Sequence, residues 1–150
     1  MLVRTHLAFA FLVAMLLYPI FNPSNIYIFF SFIILGSLIV DIDHPQSKIG
    51  TKLKPISKFI SFLFGHRTWF HSIFLALIIS GILYYFNAQM GTALFIGYLS
   101  HIFLDGLTWS GVNIIHPINQ LRIQGFIKTG KPAEHILLII IIALIVINIL

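Results

Sequence analysis

Five apolar stretches, 6–20, 25–40, 71–86, 91–107 and 134–150, take up most of this chain and decide what it can fold into. Each is about 15 to 17 residues long, short of the roughly 20 that cross a bilayer squarely. A short helix still crosses where the bilayer thins or flanking residues snorkel. The rest of the composition leaves little choice: 59% of residues are hydrophobic, 9% are charged, and mean hydropathy is +1.01. That is too little polar surface to cover a body in water, so lipid is the expected solvent. In hydrocarbon the backbone must satisfy its own hydrogen bonds, which helices do within one segment. The expectation is an all-α, integral membrane bundle of about five short transmembrane helices, in a single domain over residues 1–150. Arg4 ahead of the apolar run 7–17 imitates a signal peptide. No small-x-small cleavage pattern follows it, so the first stretch is expected as a retained helix.

The connections differ in kind. "YPIFNPSN" (18–25) and "YYFNAQMG" (84–91) are short, uncharged turns with Pro, Asn and Gly breakers. The connection 41–70 is long. Within it Ile56, Phe59, Ile60, Leu63 and Phe64 recur at helical spacing beside Lys54 and Lys58, which predicts an interfacial amphipathic helix over 55–64. The connection 108–133 holds Gly111, Gly125, Gly130 and two prolines, and its stretch 121–127 alternates as a short strand does. Trp69, Trp109 and Tyr98 fit an interfacial aromatic belt.

Threading the five segments back and forth puts all nine Lys and Arg on one side: Arg4, Lys48, Lys52, Lys54, Lys58, Arg67, Arg122, Lys128 and Lys131. The positive-inside rule makes that side cytoplasmic, with the N-terminus inside. The net charge of +5 then faces anionic lipid headgroups, and no nucleic-acid partner is expected. The same threading gathers all four acids and all seven histidines at the same end. Ionisable groups at membrane depth are costly and mark function.

With no cysteine, this is a nitrogen and oxygen ligand set, best suited to Zn²⁺, with Mn²⁺ or Fe²⁺ also fitting. His101 and Asp105 are one helical turn apart and can share one metal. Asp41 and Asp43 close the second segment, where the backbone can aim one or both inward. His66 and His71 are five apart and cannot share a regular helix face, so one is expected as a ligand and the other on the preceding loop. His116, before Pro117, reads equally well as a loop residue. Arg67 and the lysines could hold phosphate, although topology and lipid anchoring account for the lysines more simply.

"RTHLAFA", "DIDHPQS", "GHRTWFHS", "GYLSHIFLDGLTWSGV" and "KTGKPAEH", in this order along nearly the whole chain, resemble the LexA-regulated inner-membrane metal-dependent hydrolase family (YdjM-like). That family is in turn distantly similar to the zinc-dependent phospholipase C and P1 nuclease superfamily. The resemblance implies an α-helical metal-dependent hydrolase. It implies His6, Asp43, His71, His101 and Asp105 as core ligands, with Asp105 the bridging carboxylate, and His116, Glu134 and His135 as a further metal set. Two departures bear on the metal count. The soluble relatives use a free N-terminal residue as a ligand, whereas five residues precede His6 here. The histidines after Asp105 are also spaced differently. Two zinc ions are therefore expected rather than three.

The expected function is a membrane phosphoesterase using a metal-activated water on a phospholipid or other phosphodiester at the cytoplasmic interface. Asp43 and Asp105 would act at the metals, Asp41 or His66 in proton transfer or orientation, and Arg67 on phosphate. Two other classes compete. One is a metal or proton transporter, which would need ionisable groups across the whole bundle. The other is a non-enzymatic membrane protein whose metal staples short helices together.

Overall fold

The computed structural model describes residues 1–44, 47–52, 54–64, 69–119 and 121–150, the side chains of 48, 49, 60, 63 and 64 excepted. Helix α1 spans Val3–Phe21 and ends on Asn22, which takes the left-handed conformation (φ 41°) that asparagine tolerates. Asn25 caps α2 (Ile26–Ile39) by accepting from the Ile28 amide at 3.1 Å. A 3-10 turn, Val40–Asp43, follows. Two helices fill the long connection, α3 (Lys48–Lys52) and α4 (Lys54–Phe64), the latter at the position where helical spacing predicted it. A second 3-10 turn, Trp69–His71, leads to α5 (Ile73–Phe86), capped by Ser72. Asn87 alone links α5 to α6 (Ala88–Gly106) and caps it through the Met90 amide at 3.0 Å. Helix α7 spans Pro132–Ile149, with proline in its first turn where the missing amide costs nothing.

The 108–133 connection is a small hairpin-like platform. Strand β1 (Val112–Asn113) pairs antiparallel with β2 (Arg122–Ile123), with Val112 opposite Ile123. A parallel bridge joins Thr108 to Ile127. The alternation at 121–127 marked the second strand; the first, only two residues long, gave no pattern.

The starts of α1, α5 and α7 and the ends of α2 and α6 meet at one end of the bundle. His6 approaches Asp105 there, His71 approaches Asp43, and Thr5 reaches Glu134. At the opposite end Ser24 and the Asn25 carbonyl hydrogen-bond Gln89, both at 2.5 Å. Three stretches are long and apolar enough to cross a membrane: Val3–Phe21, Ile26–Asp43 and Pro132–Ile149; α5 is apolar but shorter. Helix α6 is as long as α1 but falls outside this group. Gln89, Thr92, Ser100, His101 and Asp105 lower its hydropathy. It can carry Ser100, His101 and Asp105 because α1, α2 and α5 pack around it and bury them, while Gln89 lies at the end of the bundle and hydrogen-bonds Ser24 and the Asn25 carbonyl. Helix α7 packs mainly on α1 and leaves most of its isoleucines exposed, as lipid-facing residues should be.

Lipid tails are as apolar as leucine, so close packing has to hold such helices together. The α2–α6 crossing shows how. A Cβ on Gly97 would run into the Ile33 carbonyl, and one on Gly36 into the Leu94 carbonyl. Phe29 and Ile33 of α2 are buried against Ala93 of α6 and against Ala10 and Ala14 of α1. Nearer the polar end, Val40, Ala76, Tyr98, Ile102 and Val112 form a second cluster beneath the acids and histidines.

Candidate metal centre

His6 lies in the first turn of α1, Asp41 and Asp43 in the turn after α2, His71 in the turn before α5, and His101 and Asp105 in the last turns of α6. Asp105 is the hub. His6 Nε2 lies 3.2 Å from its Oδ1, and His71 Nε2 and His101 Nε2 lie 3.5 and 3.8 Å from its Oδ2. The Met1 ammonium also contacts Oδ1. His71 Nδ1 stands 3.5 Å from Asp43 Oδ2, and His101 Nε2 stands 3.7 Å from Asp41 Oδ1. The rings of His6 and His101 stack in parallel with centroids 3.8 Å apart. Two sets of three thus converge and share His101: His6, His101 and Asp105, and Asp41, His71 and His101, each with ligand atoms within 4.8 Å of one another.

These residues fit a metal on three counts. Ligands about 2.1 Å from a tetrahedral ion sit about 3.4 Å apart, and the closest histidine–carboxylate separations here fall at that value. His101 Nδ1 lies 2.6 Å from the Ser37 carbonyl, to which it can only donate, so its Nε2 keeps a lone pair facing the carboxylates. Finally, His101 Nε2 and both ring nitrogens of His6 are buried without an aligned hydrogen bond. Such groups cost about 1–3 kcal/mol each unless something satisfies them.

Backbone contacts hold the ligands. The close α2–α6 crossing at Gly36 and Gly97 brings the Ser37 carbonyl to His101. The Tyr98 hydroxyl donates to the Phe70 carbonyl at 2.6 Å, pinning the turn that ends in His71. The Ile73 amide donates to Ile114 from the other side of that turn. Thr108 Oγ1 and its amide both donate to the Asp105 carbonyl, closing the end of α6. His71 lies outside the helices and is fully enclosed. Burial opposes its charge, but the hydrogen bonds and charges of Asp105 and Asp43 outweigh that and raise its pKa to about 9.

The profile of the YdjM inner membrane protein family matches residues 1–150. The chain belongs to that family. "Uncharacterized protein YvsG" of Bacillus subtilis (strain 168) is 39% identical over 107 residues, covering 69% of this chain and 67% of that protein. "Inner membrane protein YdjM" of Escherichia coli (strain K12) is 40% identical over 91 residues, 56% of this chain and 46% of that protein. The same figures hold for the Shigella flexneri protein of that name. The matched region is under half the length of these YdjM proteins. No solved structure matches the chain. Together with the apolar helices, the family makes this a membrane protein.

The family's motif residues divide in the structure. His6, Asp41, Asp43, His71, His101 and Asp105 come together. The further set inferred from resemblance, His116, Glu134 and His135, does not assemble with them or with one another. Glu134 is buried and accepts from the Leu2 amide (2.6 Å), Thr5 Oγ1 (3.0 Å) and the Gly130 amide (2.6 Å), tying α7 to the start of α1. His135 pairs with Arg4 at 2.7 Å and with the Lys131 carbonyl at 3.0 Å. His116 packs edge-on against Trp69. His66 and Arg67 lie outside the described residues. Tyr98 was placed in an interfacial belt by its type, yet it is fully buried in the bundle. Its position one turn before His101, on the same face of α6, was the available signal. Ser37 gave none, since only its carbonyl acts.

Proposed function

We propose that this protein is a membrane-bound, metal-dependent hydrolase, a phosphoesterase acting on a phospholipid or another phosphodiester at the cytoplasmic membrane interface. The observation that carries this reading is the pair of overlapping ligand sets that share His101 at one end of the bundle. His101 Nε2 has one lone pair and serves one ion at a time, so His6, His101 and Asp105 would hold one divalent ion, and His71 with the Asp41 and Asp43 carboxylates a second; Zn²⁺ suits these donors best. When bound, such ions supply a water activated for attack and positive charge for the phosphoryl oxygens. The side chains divide the remaining work. Asp105 faces three imidazoles and fixes their spacing. Ser37 and Tyr98 hold His101 and the His71 turn. Asp41 is the most exposed acid of the cluster, its side chain 16% accessible. It is placed to hold a proton or pass one to an oxygen of the substrate. Arg67, on the same connection, would meet phosphate. The gathering of all Lys and Arg at the polar end when the apolar segments are threaded back and forth supports an interfacial site on the cytoplasmic side.

One observation favours a second reading, a structural metal that staples the helices: His6, His71, His101 and Asp105 are all essentially enclosed. The test is bound metal per chain by elemental analysis, alongside hydrolysis of a chromogenic phosphodiester and of phospholipid, in wild type and Asp41→Asn. Metal and hydrolysis in the wild type, with hydrolysis lost in Asp41→Asn, supports the hydrolase. Metal in the wild type with no hydrolysis of either substrate supports the staple, and no metal in the wild type overturns both.

A further inference from the structure

Helix α4 presents an unusual surface. Ile56 and Phe59, two members of its apolar stripe, are 51 and 63% exposed, and Phe62 nearby is 86% exposed. On the opposite side Ser57 is fully buried against the protein. Lys52, Lys54 and Lys58 are exposed around the stripe, and no acidic residue occurs between Asp43 and Asp105. A soluble helix would bury its stripe in its own core. Here the bundle takes the serine side and leaves Phe59 and Phe62 outward beside lysines, a pattern that fits an anionic leaflet.

The buried side of α4 connects to the candidate centre. Helix α4 packs on the turn Val40–Asp43. Gly50 sits so tightly between Ser57 and the His44 carbonyl that a Cβ there would strike both. The Gly50 amide donates to Ser47 Oγ at 2.8 Å, and Ser47 Oγ donates to the Asp41 carbonyl at 2.9 Å. A displacement of α4 therefore bears on Asp41 through Gly50 and Ser47.

We propose that α4 is a docking surface for anionic phospholipid headgroups, and that lipid bound there holds the Asp41 turn in its metal-binding position. The second half rests on the metal reading above; the first does not. Occupancy of α4 and of the centre are then linked, and linkage is reciprocal.

The full chain is reconstituted in nanodiscs of phosphatidylcholine, with or without phosphatidylglycerol, and Mn²⁺ affinity is measured for the wild type and for Lys52→Gln/Lys54→Gln/Lys58→Gln. Phosphatidylglycerol concentrates Mn²⁺ at the surface for both chains, so the difference between their gains is what counts. The expected result is a gain at least about fivefold larger in the wild type, shrinking at high salt as surface electrostatics is screened. Equal gains overturn the coupling. In parallel, Phe62→Trp in the otherwise native chain reports the depth of α4 through quenching by brominated lipid, corrected for Trp69 and Trp109. Quenching that rises with phosphatidylglycerol supports docking, and quenching that does not change overturns it, even if the lysine variant fails to fold. Absence of both Mn²⁺ and Zn²⁺ binding in every nanodisc removes the metal reading and the coupling together, while the quenching still decides the docking.

Discussion

His6 and His101, 95 residues apart in sequence, lie ring on ring at 3.8 Å with their planes 6° from parallel, and each presents a nitrogen to Asp105. Two imidazoles stacked so closely repel if both are charged and have nothing to share if both are neutral, apart from dispersion. A cation between their nitrogens and the carboxylate would satisfy both rings.

Asp105→Asn keeps the shape of the hub and removes its charge. Since even the outer partners of metal ligands are worth roughly 10- to 100-fold in affinity, losing the hub should weaken metal binding by on the order of 100-fold or more. Elemental analysis after gel filtration should find the variant depleted. Full metal content would remove Asp105 from the ligand set.

Gly97→Ala should separate α2 from α6 and draw the Ser37 carbonyl away from His101. A cost of about 1–3 kcal/mol is expected for overpacking, together with a metal affinity lowered roughly 10- to 100-fold. Gly81→Ala is the control, because a Cβ there meets nothing within 4 Å. It should leave both thermal unfolding in detergent and metal content near wild type.

Tyr98→Phe deletes one oxygen and leaves the Phe70 carbonyl without that donor. About 1–3 kcal/mol of stability should go, and metal should dissociate faster as the His71 turn loosens. If stopped-flow chelation finds the same off-rate as wild type, the hydroxyl serves the fold alone.

His71 links the centre to pH. Its folded pKa is raised from 6.5 to about 9, so in the metal-free protein its stabilising contribution is complete below about 6.5 and is lost as pH rises through about 9. Against His71→Gln, the metal-free wild type should lose stability over that window. A metal taking His71 as ligand must displace its proton. Calorimetric titrations with metal at pH 7.5, in buffers of different ionisation enthalpy, should show about one proton released by the wild type beyond that of the variant. Equal release in both chains would count against His71 as a ligand.

Glu134→Gln tests the residue that resemblance assigned to a metal and the structure assigns to the joint between α1 and α7. Metal content should stay at the wild-type level, while stability falls by about 1–3 kcal/mol because an amide nitrogen replaces one carboxylate oxygen and one of the three donors loses its acceptor. Loss of metal without loss of stability would return Glu134 to the ligand set.

The helices were legible because lipid imposes one rule on every residue of a span, and the capping asparagines and prolines punctuate the runs. The polar end was legible for the same reason: with four acids and seven histidines in the chain, threading alone gathers them. What threading cannot supply is the choice among neighbours. Glu134 and His135 are adjacent in sequence, yet one turns inward to three donors and the other outward to Arg4, a difference set by the direction of the first turn of α7. Ser37 contributes through a carbonyl, which every residue has. Its role depends on two glycines whose meaning appears only when α2 and α6 are laid together. Tyr98 misleads by type, since a tyrosine at a membrane surface and one holding a buried turn look alike until depth is known.

The six clustered residues come from four stretches of chain, separated by whole helices and closed by the end of α6. A ribosome that has finished α5 has made His6, both aspartates of the first turn and His71, but nothing that holds them near one another. On the metal reading, the growing chain is a poor chelator until α6 is complete, and metal capture would coincide with closure of the bundle. For a cell that rations its divalent ions, that timing would act as quality control, since only a chain that has packed correctly would draw on the supply.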